Sequence, residues 1–273
     1  MPPTPAVSLV VTDLDGTFWH TDDHVDDSVL AAATALAERG VPLLVATGRR
    51  LVSTREPLAR VGLRPPAVVL NGALGVDLAT GERFHRAPYP TEQAVAVLDA
   101  FRSVDLAPVV YVDHPRFDVY LAPHPSTHLE HVRQLGDTAG TDDLGRVVAE
   151  DAVLGFSMIG VEHHLGVAAM EAIGVLAEVH LDRSIDHSGL ASLTAAPKGQ
   201  SKWDGVLAFC ASRRLDPGAV LALADGPNDL ELLDHAAMCL VPRVAHPAAL
   251  ERADHVIGAA AHGGWAEVLD HLG

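Results

Sequence analysis

The first seventy residues of the chain limit its architecture most. Three short apolar runs, residues 8–12, 41–46 and 67–70, are separated by two stretches that read as helices. The first stretch, about 29–39, is rich in alanine, follows the potential N-caps Asp26, Asp27 and Ser28, and stops at Gly40. The second is rich in arginine and stops before Pro65-Pro66. Strand, helix, strand, helix, strand, with strands apolar on both faces, is the pattern of a parallel sheet covered by helices.

After Asn71-Gly72 the texture changes. Alternating runs at 109–112, 118–122 and 155–161 read as half-buried antiparallel strands, with helical patterns near 91–103 and 165–177 between them. Beyond about residue 190 the parallel texture returns, with a helix over 201–213, an apolar strand at 219–224, and further strand and helix signals at 255–258 and from Trp265. The expected fold is α/β: a Rossmann-like parallel-sheet core formed by 1–82 and 190–273, with an α+β domain, 83–189, inserted into it.

Composition then narrows the function classes. With 48% hydrophobic and 20% charged residues, the chain has the makeup of a globular protein. Its formal net charge of −17 argues against general affinity for nucleic acid or an anionic membrane, which need a basic footprint. The longest apolar runs have the length of a core strand, and residues 1–11 lack the basic and apolar regions of a secretory signal. A cytoplasmic location is the expectation, with Cys210 and Cys239 as buried thiols. The basic residues are nearly all arginine; the two lysines, Lys198 and Lys202, lie four residues apart.

Four carboxylates fall just after core strands, where open parallel sheets build their sites. Asp13-Leu14-Asp15-Gly16-Thr17 follows the first strand, and in extended chain Asp13 and Asp15 point to one side. Asp225-Gly226-Pro227-Asn228-Asp229 follows a later apolar strand. Either segment alone reads as an ordinary turn. Together they converge like charges that a hard divalent cation such as Mg²⁺ would neutralise.

In order and context these segments, with Thr47-Gly48-Arg49 after the second strand and a lysine before a helix, resemble the four motifs of the haloacid dehalogenase superfamily. The closer resemblance is to its Cof-type phosphatases with a large C2-type cap. It implies a Mg²⁺-dependent phosphomonoesterase acting on a small phosphate ester, a sugar phosphate by resemblance alone. Asp13 would be the nucleophile, giving an aspartyl-phosphate, and Asp15 the general acid and then base. Mg²⁺ would be held by Asp13, the backbone carbonyl of Asp15, and Asp225, with Asp229 either a direct ligand or acting through water. Thr47, Gly48, Arg49 and Asn228 would hold phosphate oxygens. The run Lys198-Gly199-Gln200-Ser201-Lys202 resembles Cof-type sequences in which the second lysine is the functional one, which implies Lys202; Ser201 can also cap the helix that it begins. The inserted domain would act as a cap that closes over the substrate.

The chain departs from the family pattern at Ala224, where glycine is common, and at Phe18-Trp19, where small aliphatic residues are usual. His124 and His128 have a spacing that can bind metal on a helix, but Pro125 and the lack of a third ligand favour surface histidines. Nine histidines lie in the insertion, His187 among them. A phosphomutase or phosphotransferase of the same superfamily, or a metabolite-binding module without catalysis, remains open at this point.

Overall fold

The structure is a computed structural model that describes residues 7–20, 23–183 and 189–272; His187 lies outside them. It parts into two compact units, 1–86 with 201–273, and 87–200.

In the first unit, β1 (Leu9–Thr12), α1 (Asp27–Glu38), β2 (Leu43–Ala46), α2 (Leu51–Arg60) and β3 (Pro66–Val69) follow the expected alternation. β4 (Leu74–Asp77) and β5 (Arg83–Arg86) then turn back antiparallel.

The second unit contains α3 (Thr91–Ser103), β6 (Val109–Val112), β7 (Val119–Leu121), α4 (Leu129–Leu135), β8 (Ala139–Thr141), α5 (Leu144–Glu150), β9 (Val153–Val161), α6 (His163–Ile173), β10 (Glu178–Arg183) and β11 (Ala191–Ala196). Its strands are ordered β10-β11-β9-β6-β7-β8, antiparallel except for the β7–β8 pair. Phe101, Val110, Phe156, Met158 and Leu193 form the centre of its core.

The chain then re-enters the first unit with α7 (Lys202–Arg213), β12 (Val220–Leu223), α8 (Leu230–His235), β13 (Met238–Pro242), α9 (Pro247–Leu250) and β14 (His255–Ile257). Among the described residues its sheet has the order β14-β13-β12-β1-β2-β3-β4-β5, parallel from β14 to β3. From β1 the chain moves outward to β2 and β3, and only later returns on the other flank as β12. The order therefore reverses between β1 and β12, with Thr12 opposite Leu223. At such a switch point the loops after two neighbouring strands diverge and leave a crevice.

The unit boundaries differ from the expected 82/83 and 189/190. Residues 83–86 pair with β4 in the first sheet, and 191–196 pair with β9 and β10 in the second. The pattern of β11 is alternately buried and half-buried, the mark of an antiparallel strand with one covered face. Its alanines and threonine give that alternation little hydrophobic contrast, which is why it read as the start of the returning core. The segment from Trp265 is a 3₁₀ run over Gly264–His271 rather than an α-helix.

Candidate active site

β1 and β12 lie side by side, so their following loops bring Asp13 and Asp225 together. Oxygens of Asp13, Asp225 and Asp229 all lie within 4.8 Å of one another. The approach depends on Gly16, at φ +79°, where a Cβ would lie 2.3 Å from Asp225 Oδ2. Thr17, fully buried, donates from its hydroxyl to Asp225 Oδ1 at 2.9 Å. At the back of the loop, Trp265 Nε1 donates to Thr12 Oγ1, which donates to the Asp13 carbonyl oxygen.

Lys202 enters from the first turn of α7. Ser201 and Asp204 form a capping box there: the Ser201 hydroxyl accepts from the Asp204 amide, and the Asp204 carboxylate accepts from the Ser201 amide and hydroxyl. The Lys202 side chain is completely buried, and its ammonium donates to Asp13 Oδ1 at 2.7 Å and to Asp229 Oδ1 at 2.6 Å. The second Asp229 oxygen accepts from the Gly226 amide. Of the two lysines, it is thus Lys202 that meets the carboxylates.

One ammonium against three carboxylates leaves 1 − 3 = −2 in a largely buried space. The titration directions express that imbalance. Burial pushes the Asp13 carboxyl well above its ordinary value, Lys202 pulls it back, and Asp229 and Asp225 push it up again. Burial likewise raises Asp225, to about 6, against the hydrogen bond from Thr17. Burial alone would lower Lys202, but Asp13 and Asp229 outweigh it and hold the ammonium charged. A divalent cation matches the residual charge, and the donor set is all carboxylate oxygen, which suits Mg²⁺. Among the described residues these three aspartates are the one such cluster of potential metal ligands.

The Asp15 side chain is not part of that trio. Arg49 Nε and Nη2 fork onto its two oxygens at 2.6 and 2.5 Å, and Trp19 Nε1 donates to Oδ1 at 3.0 Å. Arg49 also pairs with Asp23 at 2.7 Å and donates to the Ser53 carbonyl. Its donors are thus largely spent on the protein, in contrast to the expectation of a phosphate contact. Among the other arginines of that run, Arg60 reaches Asp23 at 3.5 Å.

Thr47 is buried, and its hydroxyl accepts from the Arg49 amide. The loop after β3 is zipped onto this one: the Asn71 amide donates to the Thr47 carbonyl and the Leu70 amide to the Arg49 carbonyl. Asn71 then accepts from Asn228 Nδ2 at 3.0 Å, beside Gly48, where a Cβ would lie 3.0 Å from Asn71 Oδ1. Asn71 is the site residue that sequence reasoning missed. The available signal was an Asn-Gly pair directly after an apolar strand, which reads first as a turn. Leu70, Asn71 and Gly72 all have positive φ, of 50°, 52° and 110°.

Gly72 has a second role. A Cβ there would lie 2.0 Å from the Ser201 carbonyl oxygen, so its absence lets the N-terminus of α7 approach and deliver Lys202. Gly72→Ala is expected to cost about 2–4 kcal/mol of stability and more than tenfold in any turnover that uses Lys202. Gly199→Ala, at φ +69° with nothing within 4 Å, is the control. It should cost only about 1–2 kcal/mol of backbone strain and keep activity. Thermal melts and steady-state rates on both variants check this.

His124 and His128 do not form a helical pair. His128 caps α4, accepting from the Glu130 amide, and His124 precedes the helix.

A family model described as haloacid dehalogenase-like hydrolase matches residues 10–269. The chain is 26% identical over 256 residues to a phosphoglycolate phosphatase of Methanopyrus kandleri, covering 92% of this chain and 91% of that protein. The fold is similar to the crystal structure of TM0651 from Thermotoga maritima, with TM-score 0.80, 20% identity and 97% of each chain covered. It is also similar to a subclass IIB sugar phosphatase, BT4131, with TM-score 0.72, 18% identity, and 97% and 98% of the two chains covered.

Proposed function

The chain belongs to the haloacid dehalogenase-like hydrolases, and on that premise we propose that it is a Mg²⁺-dependent phosphomonoesterase working through an aspartyl-phosphate on Asp13. The observation that carries this reading is the buried Lys202 ammonium held between Asp13 and Asp229 beside Asp225. The arrangement keeps a carboxylate next to fixed positive charge, ready to receive a phosphoryl group.

Asp13, Asp225 and the Asp15 backbone carbonyl would hold the cation, with Asp229 acting chiefly on Lys202 and the Gly226 amide. When bound, Mg²⁺ supplies charge neutralisation and a Lewis-acid contact for a phosphate oxygen. Asp13 attacks phosphorus, and Lys202 screens the approaching anion from the nucleophile's own charge. Thr47, Gly48, Asn228 and Asn71 border the space for the remaining phosphate oxygens. Asp15, whose side chain is 45% exposed, takes a proton from solvent onto Oδ2 in place of the Arg49 Nε contact, gives it to the leaving oxygen, and then takes one from the attacking water. The relatives' names support a small phosphate ester, phosphoglycolate for one and a sugar phosphate for another, and a sugar phosphate is the class proposed here. A panel of sugar phosphates, phosphoglycolate and nucleotides, assayed for released phosphate with and without Mg²⁺, tests the reading. Transfer of phosphate between sugar hydroxyls without net release would instead indicate a mutase, and no turnover at all would remove the enzyme reading.

A pH signature follows. Burial raises Asp225 to about 6, so its folded form prefers the proton. Its contribution to stability is therefore present at acid pH and is lost as pH rises through about 6. Cation binding needs the deprotonated form and reverses that loss. The rise in Tm on adding Mg²⁺ is expected to be large at pH 7.5 and small at pH 5, as melts at the two pH values would show.

A further inference from the structure

Trp19 occupies a position where the family resemblance leads one to expect a small aliphatic residue. The loop that carries it is closed twice: the Phe18 and Trp19 amides donate to the Leu14 carbonyl, and the Gly16 amide donates to the Trp19 carbonyl. Trp19 is 1% exposed, and a buried indole N–H needs an acceptor. It finds one in Asp15 Oδ1, the oxygen that also takes Arg49 Nη2. The Arg49 guanidinium carbon in turn lies 5.0 Å from the Trp19 ring centroid. The two side chains that hold Asp15 therefore also hold each other. Phe18 packs edge-on between Trp19 and Trp265, with centroids 6.1 and 4.9 Å away.

We propose that Trp19 is a positioning residue for Asp15: its N–H holds Oδ1 as an acceptor, so that Oδ2, once a proton from solvent replaces the Arg49 Nε contact on it, meets the leaving oxygen of the ester. The proposal rests on the phosphatase reading above. If Trp19 served only to fill the core, losing its N–H would leave the chemistry of the leaving group untouched.

The test compares kcat/KM for phenyl phosphate, whose leaving oxygen needs a proton, with that for p-nitrophenyl phosphate, whose leaving oxygen barely does. kcat/KM reports the step in which that oxygen departs. Three proteins are compared with wild type: Trp19→Phe, a chain carrying benzothienylalanine at 19, and Asp15→Asn. The benzothienyl ring matches indole in shape but lacks the N–H, so it tests the hydrogen bond even where Trp19→Phe fails to fold. Loss of a well-placed general acid costs about 10²–10⁴-fold. The nitrophenyl-to-phenyl ratio should accordingly rise about tenfold in both Trp19 variants and further in Asp15→Asn. An unchanged ratio with the benzothienyl side chain, against a raised ratio in Asp15→Asn, overturns the role of Trp19. An unchanged ratio in Asp15→Asn itself overturns Asp15 as the acid, and with it the reading on which this proposal stands.

Discussion

Asp13→Asn is expected to abolish phosphate release, by at least about 10⁴-fold, while leaving the fold as stable as wild type or more so. The two halves of this result come from one cause. Asp13 sits with Asp225 and Asp229 in a largely buried space that holds one ammonium. Burial and the two like charges push its carboxyl well up, which means that its charge is held in the fold at a cost. An amide of the same shape removes that cost and can still accept from Lys202 through its oxygen. It cannot, however, form an acyl phosphate, because the amide is a poor nucleophile. A protein kept this way is strained for chemistry at the expense of stability. Steady-state rates and Tm of the variant, measured in the absence of Mg²⁺ for the melt, give both halves.

Lys202→Met carries the second large effect, with the opposite sign for stability. The lysine side chain is fully buried and spans Asp13 and Asp229. Its removal leaves three carboxylates facing one another without a cation from the protein. Breaking a buried pair in this way costs about 3–5 kcal/mol, or roughly 10 °C in Tm for a chain of this size. Turnover should fall by about 10³-fold or more, since Lys202 also screens the incoming phosphate. Lys202→Arg is not expected to rescue either property, because a planar guanidinium does not fit a site packed around a compact ammonium. The carboxylates stranded in Lys202→Met prefer to be protonated, so its stability should recover as pH falls toward 5, and Mg²⁺ should raise its Tm more than that of wild type.

The same pair of residues shows what a sequence of this kind discloses. Asp13 and Asp225 were legible because each ends an apolar strand, and the alternation of strands and helices places those strand ends at one edge. Lys202 was legible because the run from Lys198 to Lys202 resembles the Cof-type pattern whose second lysine is functional, and because Ser201 is an N-cap residue, which sets that lysine in the first turn of a helix. Other features were hidden for physical reasons. The placement of Asn71 depends on three successive positive φ values that begin at Leu70, a residue with no intrinsic preference for them. The diversion of Arg49 onto Asp15 and Asp23 is a tertiary event between residues that a linear pattern does not pair, and the indole contact of Trp19 with Asp15, four residues away, depends on the tight loop that joins them. The strand Ala191–Ala196 was hidden because small side chains blur its alternation, and the sheet that claims it is decided by pairing with β9 and β10.

The central claim is that Asp13 itself carries the phosphoryl group during turnover. It is tested most directly in Asp15→Asn, where the base for the second step is gone but p-nitrophenyl phosphate can still deliver its phosphoryl group. With ³²P-labelled ester and Mg²⁺, acid quenching should trap close to one labelled phosphate per chain. Reduction of the acyl phosphate and mass spectrometry should then place it on Asp13, with no label in Asp13→Asn. Label on another residue, or an Asp13→Asn protein that releases phosphate at the wild-type rate, would contradict the account.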